Sequence, residues 1–141
     1  MSLDSRWVVA LLIVAAVVAV VRVYQVIRRA RERSRDDFDA RLVADLRRMG
    51  ANAFTPYEVD FFFSLPDETA CSSLSKALEP EGFAVNARVM GSDTGGGYSL
   101  NARKHLRVSV SEMQDYSKRF RVLAEQLGGQ YDGWTTDPSR T

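Results

Sequence analysis

Fifteen consecutive apolar side chains, Trp7 to Val21, limit what this chain can fold into more than any other stretch of it. A helix on the surface of a soluble domain keeps a polar stripe toward water, and this run has none. Beyond it the apolar character continues through Val23, Tyr24 and Val26 to Ile27, with Arg22 and Gln25 the only strongly polar interruptions. At about 1.5 Å per residue, residues 7–27 reach roughly 30 Å as a helix, the thickness of a bilayer's hydrocarbon core. Trp7 and Tyr24 fall where interfacial aromatics belong, and Arg22 lies near enough to one end to extend its head toward lipid headgroups. A cleaved signal peptide would begin with basic residues and end in a small-residue cleavage site; a block of arginines follows here instead. The reading is one uncleaved transmembrane helix over residues 7–27.

Arg28, Arg29, Arg31, Arg33 and Arg35 crowd the segment 28–35, diluted only by Glu32, whereas the other flank offers Arg6 balanced by Asp4. Positive charge is retained on the cytoplasmic side. Residues 1–6 are therefore expected outside as a short extracytoplasmic N-terminus, and residues 36–141 in the cytosol. The same arginines attract anionic headgroups, at about 1 kcal/mol each near the surface. The simpler reading of the block is a topology signal.

Once residues 1–35 are set aside, 106 residues remain, enough for one compact domain. They hold 12 basic and 16 acidic side chains, so a whole-chain charge of +1 conceals an acidic domain. Phosphate contacts demand clustered Lys and Arg, which argues against direct nucleic-acid binding. A single cysteine, Cys71, excludes an intrachain disulfide and suits a reducing compartment; with a single histidine, His105, it leaves no ordinary zinc site.

Residues 36–49 read as an amphipathic helix with Phe38, Leu42, Leu46 and Met49 on one face and Gly50 as its stop; the sequence leaves open whether it continues the membrane helix, with Ser34-Arg35-Asp36 as the place for a break. Tyr57, Val59, Phe61, Phe63 and Leu65 alternate with polar positions as a half-buried strand. Asp67 then caps a helix carrying Ala70, Leu74, Ala77 and Leu78 on one face and ending near Pro80-Glu81-Gly82. A second strand points Phe83, Val85, Ala87 and Val89 inward, Gly91 to Gly97 form a flexible hairpin loop, and a third strand runs from Tyr98 to Val108. Ser109 and Glu112 open a last helix as a capping box, with Val110, Met113, Tyr116, Phe120, Leu123, Ala124 and Leu127 as its buried stripe. Gly128 and Gly129 end it, and Gln130 to Trp134 close the chain as a strand. Strand–helix–strand twice over is the order of an α+β, ferredoxin-like two-layer sandwich: a four-stranded antiparallel sheet with two helices, preceded by the amphipathic and membrane helices.

Candidate chemistry is sparse. His105 shares strand parity with Ser99, Asn101 and Arg103 on the solvent face, where a histidine is ordinarily just hydrated. Glu58 and Asp60, two apart on a strand, keep an open sheet face wet rather than form an acid–base pair. The glycine loop joins strand to strand, so it lacks the helix N-terminus that a phosphate cradle needs. Phe62 is the one aromatic on the outer face of the first strand, where a stacking ring would sit. The third strand offers Ser99, Asn101, Arg103 and His105 instead of further aromatics, so RNA readout by this face is a weak alternative that the sequence leaves open. No catalytic constellation, cofactor site or small-molecule substrate site emerges, and the chain is read as no enzyme.

Gly129-Gln130-Tyr131-Asp132-Gly133-Trp134 is an unusual closing strand, in which Tyr131 is expected to pack under the sheet, Asp132 to bond nearby backbone and Gly133 to let the chain turn over Trp134. A helix ending in Gly-Gly followed by Tyr131, Asp132, Gly133 and Trp134 resembles the C-terminal signature of the bacterial regulator of ribonuclease E activity B family. Val59-Asp60-Phe61-Phe62-Phe63 with Leu65-Pro66-Asp67 is similar to its first strand, Gly82-Phe83-Ala84-Val85 to its second, and Leu42–Gly50 before Pro56 to its leading helix. The resemblance covers about residues 38 to 136. It implies a ferredoxin-like fold and a non-catalytic role, binding ribonuclease E as a protein, with degradosome components as further candidate partners, and damping RNA cleavage. It also makes the membrane the bacterial inner membrane. The other reading is a membrane-anchored interaction domain in envelope or stress signalling that shares only the fold.

Overall fold

The computed structural model describes residues 5–94 and 96–139. Residues 1–4 of the expected extracytoplasmic segment, Gly95 of the glycine loop and the last two residues lie outside the described residues. The chain divides into two compact units, Met1–Phe38 and Asp39–Thr141.

Helix α1 spans Ser5–Arg48. No break occurs at Ser34-Arg35-Asp36, because no glycine or proline interrupts the ladder there and its arginines are good helix formers. In the first unit the apolar side chains from Trp7 to Ile27 are turned to the outside, with Trp7 70 % and Leu11 69 % exposed. By length and composition this helix is able to cross a membrane.

In the second unit, the last turns of α1 bury Asp39, Val43 and Leu46, while Met49 is exposed. The expected Phe38–Leu42–Leu46–Met49 face is therefore rotated: Phe38 is also exposed and Leu42 only half-buried. Apolar periodicity alone misses this, because the buried stripe contains an aspartate. Gly50 follows the helix with φ +100°, and the amides of Gly50 and Ala51 close on the carbonyls of Arg47 and Leu46.

Strand β1 (Pro56–Leu65) is central, and alternation puts Tyr57, Val59, Phe61, Phe63 and Leu65 in the core. Helix α2 (Glu68–Leu78) starts where Asp67 Oδ1 accepts the Ala70 amide at 2.8 Å. It buries Ala70, Cys71, Leu74 and Leu78; Ala77, expected inside, is exposed, and Cys71 fills the stripe in its place. A short 3₁₀ turn, Glu79–Glu81, leads to strand β2 (Ala84–Val89). A second 3₁₀ turn, Ser92–Thr94, sits in the glycine-rich hairpin loop. Strand β3 (Tyr98–Arg107) follows, then helix α3 (Val110–Gln126), whose cap Ser109 accepts the Glu112 amide at 3.3 Å. Strand β4 (Gln130–Thr136) runs two residues further than expected.

The strands form one antiparallel sheet in the order β2-β3-β1-β4, with β1 pairing along its length to β3. Both helices contribute to a single core against its inner face. Phe61, Phe63, Phe83, Tyr116, Phe120 and Tyr131 meet there, with ring centroids 5.0 Å apart for Phe61–Phe120 and 5.3 Å for Phe63–Phe120, both edge to face. Edge-on pairs of this kind add about 0.5–1.5 kcal/mol each beyond burial. At the β2 edge the cover is thin: Ala87 is exposed and Val89 is 75 % exposed, against the expectation that both point into the core. The core is concentrated over β1 and β3, and β2 has a neighbouring strand on one side only.

Candidate functional site

Tyr131 and Trp134 stand three residues apart, so strict alternation would send them to opposite faces of β4. Both are nevertheless buried, Trp134 at 4 % exposure. The register explains it. Phe62 lies opposite Gly133 and Phe63 opposite Tyr131, leaving Asp132 as an extra residue with no counterpart on β1. This β-bulge resets the parity. Gly133 adopts φ +126°, a conformation that costs a side-chain-bearing residue strain. Gly129, at the start of the motif, serves differently: a Cβ there would come within 2.5 Å of the Ser64 carbonyl.

The bulge delivers Trp134 to the last turns of α1, where its indole Nε1 donates to Asp39 Oδ1 at 2.8 Å. Asp39 is 3 % exposed. Tyr131 packs on Phe63 and Phe120, and its hydroxyl lies 3.5 Å from Ser117 Oγ on α3. Buried Arg121, one turn on, donates from Nε to the Ser117 carbonyl at 3.2 Å. Burial pushes the Tyr131 phenol well above the ordinary tyrosine value; the Ser117 hydrogen bond opposes this, the Asp39 carboxylate adds to it and the Arg121 guanidinium lowers it. Asp39, Ser117, Arg121, Tyr131 and Trp134 thus form one buried polar cluster joining α1, α3 and β4. Charges taken from water need such partners. The phenol and the indole hold their protons at neutral pH, and the hydrogen bonds of the cluster tie the three elements together.

Asp132 points the other way. Its carboxylate accepts from Ser64 Oγ at 2.5 Å and from Gln130 Nε2 at 3.1 Å, bonds to side chains where backbone bonds were expected. On the same outer face Arg103 bridges Glu58 at 2.8 Å and Asp60 at 2.7 Å. The Asp60 hydrogen bond and charge hold the Arg103 guanidinium above its usual value, with Glu58 adding to them and desolvation opposing. The paired carboxylates therefore hold a cation. His105, opposite Glu58, is exposed, and half-buried Phe62 lies between Asn101 and Gly133 at the side of a 280 Å³ hollow. Burial first, then the Asp67 and Glu68 carboxylates, push the Cys71 thiol upward, so it is a poor nucleophile. Among the described residues no three metal-ligating side chains converge.

The five juxtamembrane arginines are exposed along α1, with Arg28 Nε 3.2 Å from Glu32 Oε1. Tyr131 packs under the sheet as expected and Trp134 is buried too, whereas Asp39, Ser117 and Arg121 do not stand out in the sequence pattern. Asp39 lies outside the apolar face expected for residues 36–49, and two polar residues do not register in an apolar stripe. Their spacing was a usable signal, since Ser117 and Arg121 are four apart and flank Phe120.

Residues 36–136 match the family model for regulator of ribonuclease activity B, and the chain belongs to that family. The match takes in the closing tetrad together with its partners Asp39, Ser117 and Arg121. No curated protein matches the chain.

Proposed function

We propose that this member of the regulator of ribonuclease activity B family is a membrane-tethered, non-catalytic protein-binding regulator that acts on ribonuclease E. The observation that carries the reading is the family match, which runs through all four strands and both helices of the sheet domain. The buried cluster around Trp134 supports a role for the signature in stability, leaving recognition to the surface.

The tether rests on a separate observation. None of the most apolar window of α1 is buried within the protein, so its side chains need lipid or another apolar cover. With Arg28, Arg29, Arg31, Arg33 and Arg35 on its C-terminal side, the helix runs from outside to the cytosol, and the sheet domain hangs beneath the bacterial inner membrane. The domain boundaries follow: 1–6 outside, 7–27 in the bilayer, 28–35 at the headgroups and 36–141 in the cytosol.

Affinity capture with the full chain in detergent is the direct test. Recovery of ribonuclease E, together with lengthened transcript half-lives on overproduction, is the expected result. Capture that never recovers ribonuclease E or its degradosome partners removes the partner assignment. Activity of an alkaline phosphatase fused to the C-terminus would reverse the topology.

A further inference from the structure

Strand β2 begins opposite Arg103, so among the described residues no strand lies beside residues 104–107 of β3 on that edge. Just before β2 the chain turns away: Lys104 Nζ donates to the Glu81 carbonyl at 2.6 Å and lies 5.0 Å from the Phe83 ring centre. Between this end of β3 and the first turns of α3 lies a groove of about 370 Å³. Half-buried Leu106 and Tyr116 floor it, and Arg107, Glu112, Asp115 and Arg119 rim it. Arg119 is ion-paired with Glu81, whereas Glu112 and Asp115 form no ion pair among the described residues.

We propose that this groove is the docking site for an extended segment of a protein partner, which adds a short strand to the free edge of β3. This deepens the reading of the chain as a protein-binding regulator and rests on it. An unpaired strand edge supplies backbone donors and acceptors, which calls for an extended occupant. A residue set opposite Leu106 shares its face and meets Tyr116, so it is apolar. Residues two positions away share that face as well, toward the Glu112 and Asp115 carboxylates on the rim. The occupant is therefore a strand with an apolar side chain and a lysine or arginine two residues from it. The acidic balance of residues 36–141 favours the same basic partner.

The test uses the full chain in nanodiscs of uncharged phosphatidylcholine, so that lipid does not attract the probes. The probes are fluorescent seven-residue threonine peptides with a central leucine and either lysine or glutamate two positions to each side. Anisotropy should show the lysine peptide binding at least about tenfold tighter, a difference of about 1.4 kcal/mol. In the double variant Glu112→Lys, Asp115→Lys, both exposed positions, the preference should reverse, and replacing the central leucine by serine should weaken both peptides. Equal affinity for the two peptides, or a lysine preference that survives the double variant, overturns the proposal. Self-association abolished by the double variant would also overturn it, by giving the groove to a second copy. Ribonuclease E capture separates this failure from that of the broader reading. If the wild type and the double variant capture the enzyme equally, the groove is wrong and the regulator reading stands; if the wild type captures none while the peptides bind as described, the reverse holds.

Discussion

Strands β4 and β2 both lie at an edge of the same sheet, yet β4 sinks Tyr131 and Trp134 into the core while β2 leaves Val89 75 % exposed. At the β4 edge a bulge, a glycine at φ +126° and a buried hydrogen bond to Asp39 hold two aromatic anchors. Thr136 adds a bond from Oγ1 to the Glu58 carbonyl at 2.7 Å. Among the described residues the β2 edge has no such bulge or buried side-chain tie; it starts late against β3 and leaves a groove beside Leu106. The conspicuous tetrad thus lies at the better anchored edge. Conspicuous residues can be conspicuous because the backbone needs them, and the less distinctive edge is then the one free to meet a partner.

If that contrast holds, Trp134→Ala has the largest effect. Truncating an almost fully buried indole should cost about 3–5 kcal/mol, read from the urea midpoint of the full chain in micelles by near-ultraviolet circular dichroism. A loss under about 1 kcal/mol would mean that the ring is not the anchor that the geometry makes it. The tie to α1 is measured by a double-mutant cycle of Asp39→Ala with Trp134→Phe. A hydrogen bond to a charged group predicts a coupling of about 1.5–3 kcal/mol, and additive losses would break the link between the helix and the closing strand. Gly133→Ala isolates the bulge: open space surrounds the site, so only backbone strain opposes the methyl group, at about 1–3 kcal/mol.

Tyr131 gives the same edge a signature in pH. Its folded phenol holds the proton more tightly than the unfolded one, which titrates near the ordinary value of about 10. The stabilisation is therefore complete below about pH 10 and is lost as pH rises beyond it, because only the unfolded state releases the proton there. Tyr131→Phe should flatten that alkaline decline while leaving stability near neutrality changed by no more than about 1.5 kcal/mol, the worth of one neutral hydrogen bond. Identical alkaline slopes in the two proteins would place the titrating group elsewhere.

The order of elements was legible because β1, α2 and α3 each carry their own period and cap: alternation from Tyr57 to Leu65, Asp67 before Ala70, Ser109 before Glu112. The parts that were not legible depend on contacts far apart in sequence. Asp39 is buried because Trp134, ninety-five residues later, supplies its hydrogen bond, and no local window contains both. The bulge at Asp132 is set by register with β1, so the tetrad revealed its glycine but not the parity reset that the glycine permits. Ala87 and Val89 alternate as core residues do, and only the limited reach of the cover over an edge strand leaves them outside. Continuity of α1 through Arg35 was hidden for a different reason, since a change from apolar to basic composition looks like a boundary although the backbone needs none there.

The smallest predicted effect tests the other half of the contrast. Val89 points along the face that would be core in a fully covered sheet, so an ordinary inward valine replaced by threonine would place an unsatisfied hydroxyl in apolar surroundings, at a cost of about 1–3 kcal/mol. At 75 % exposure the hydroxyl meets water, and both residues are β-branched with similar strand preference. Val89→Thr should therefore shift stability by less than about 0.5 kcal/mol. A larger loss would show that β2 is covered in solution by something that excludes water from Val89. In that case the two edges would be alike in burial, and β2 would itself be an occupied surface.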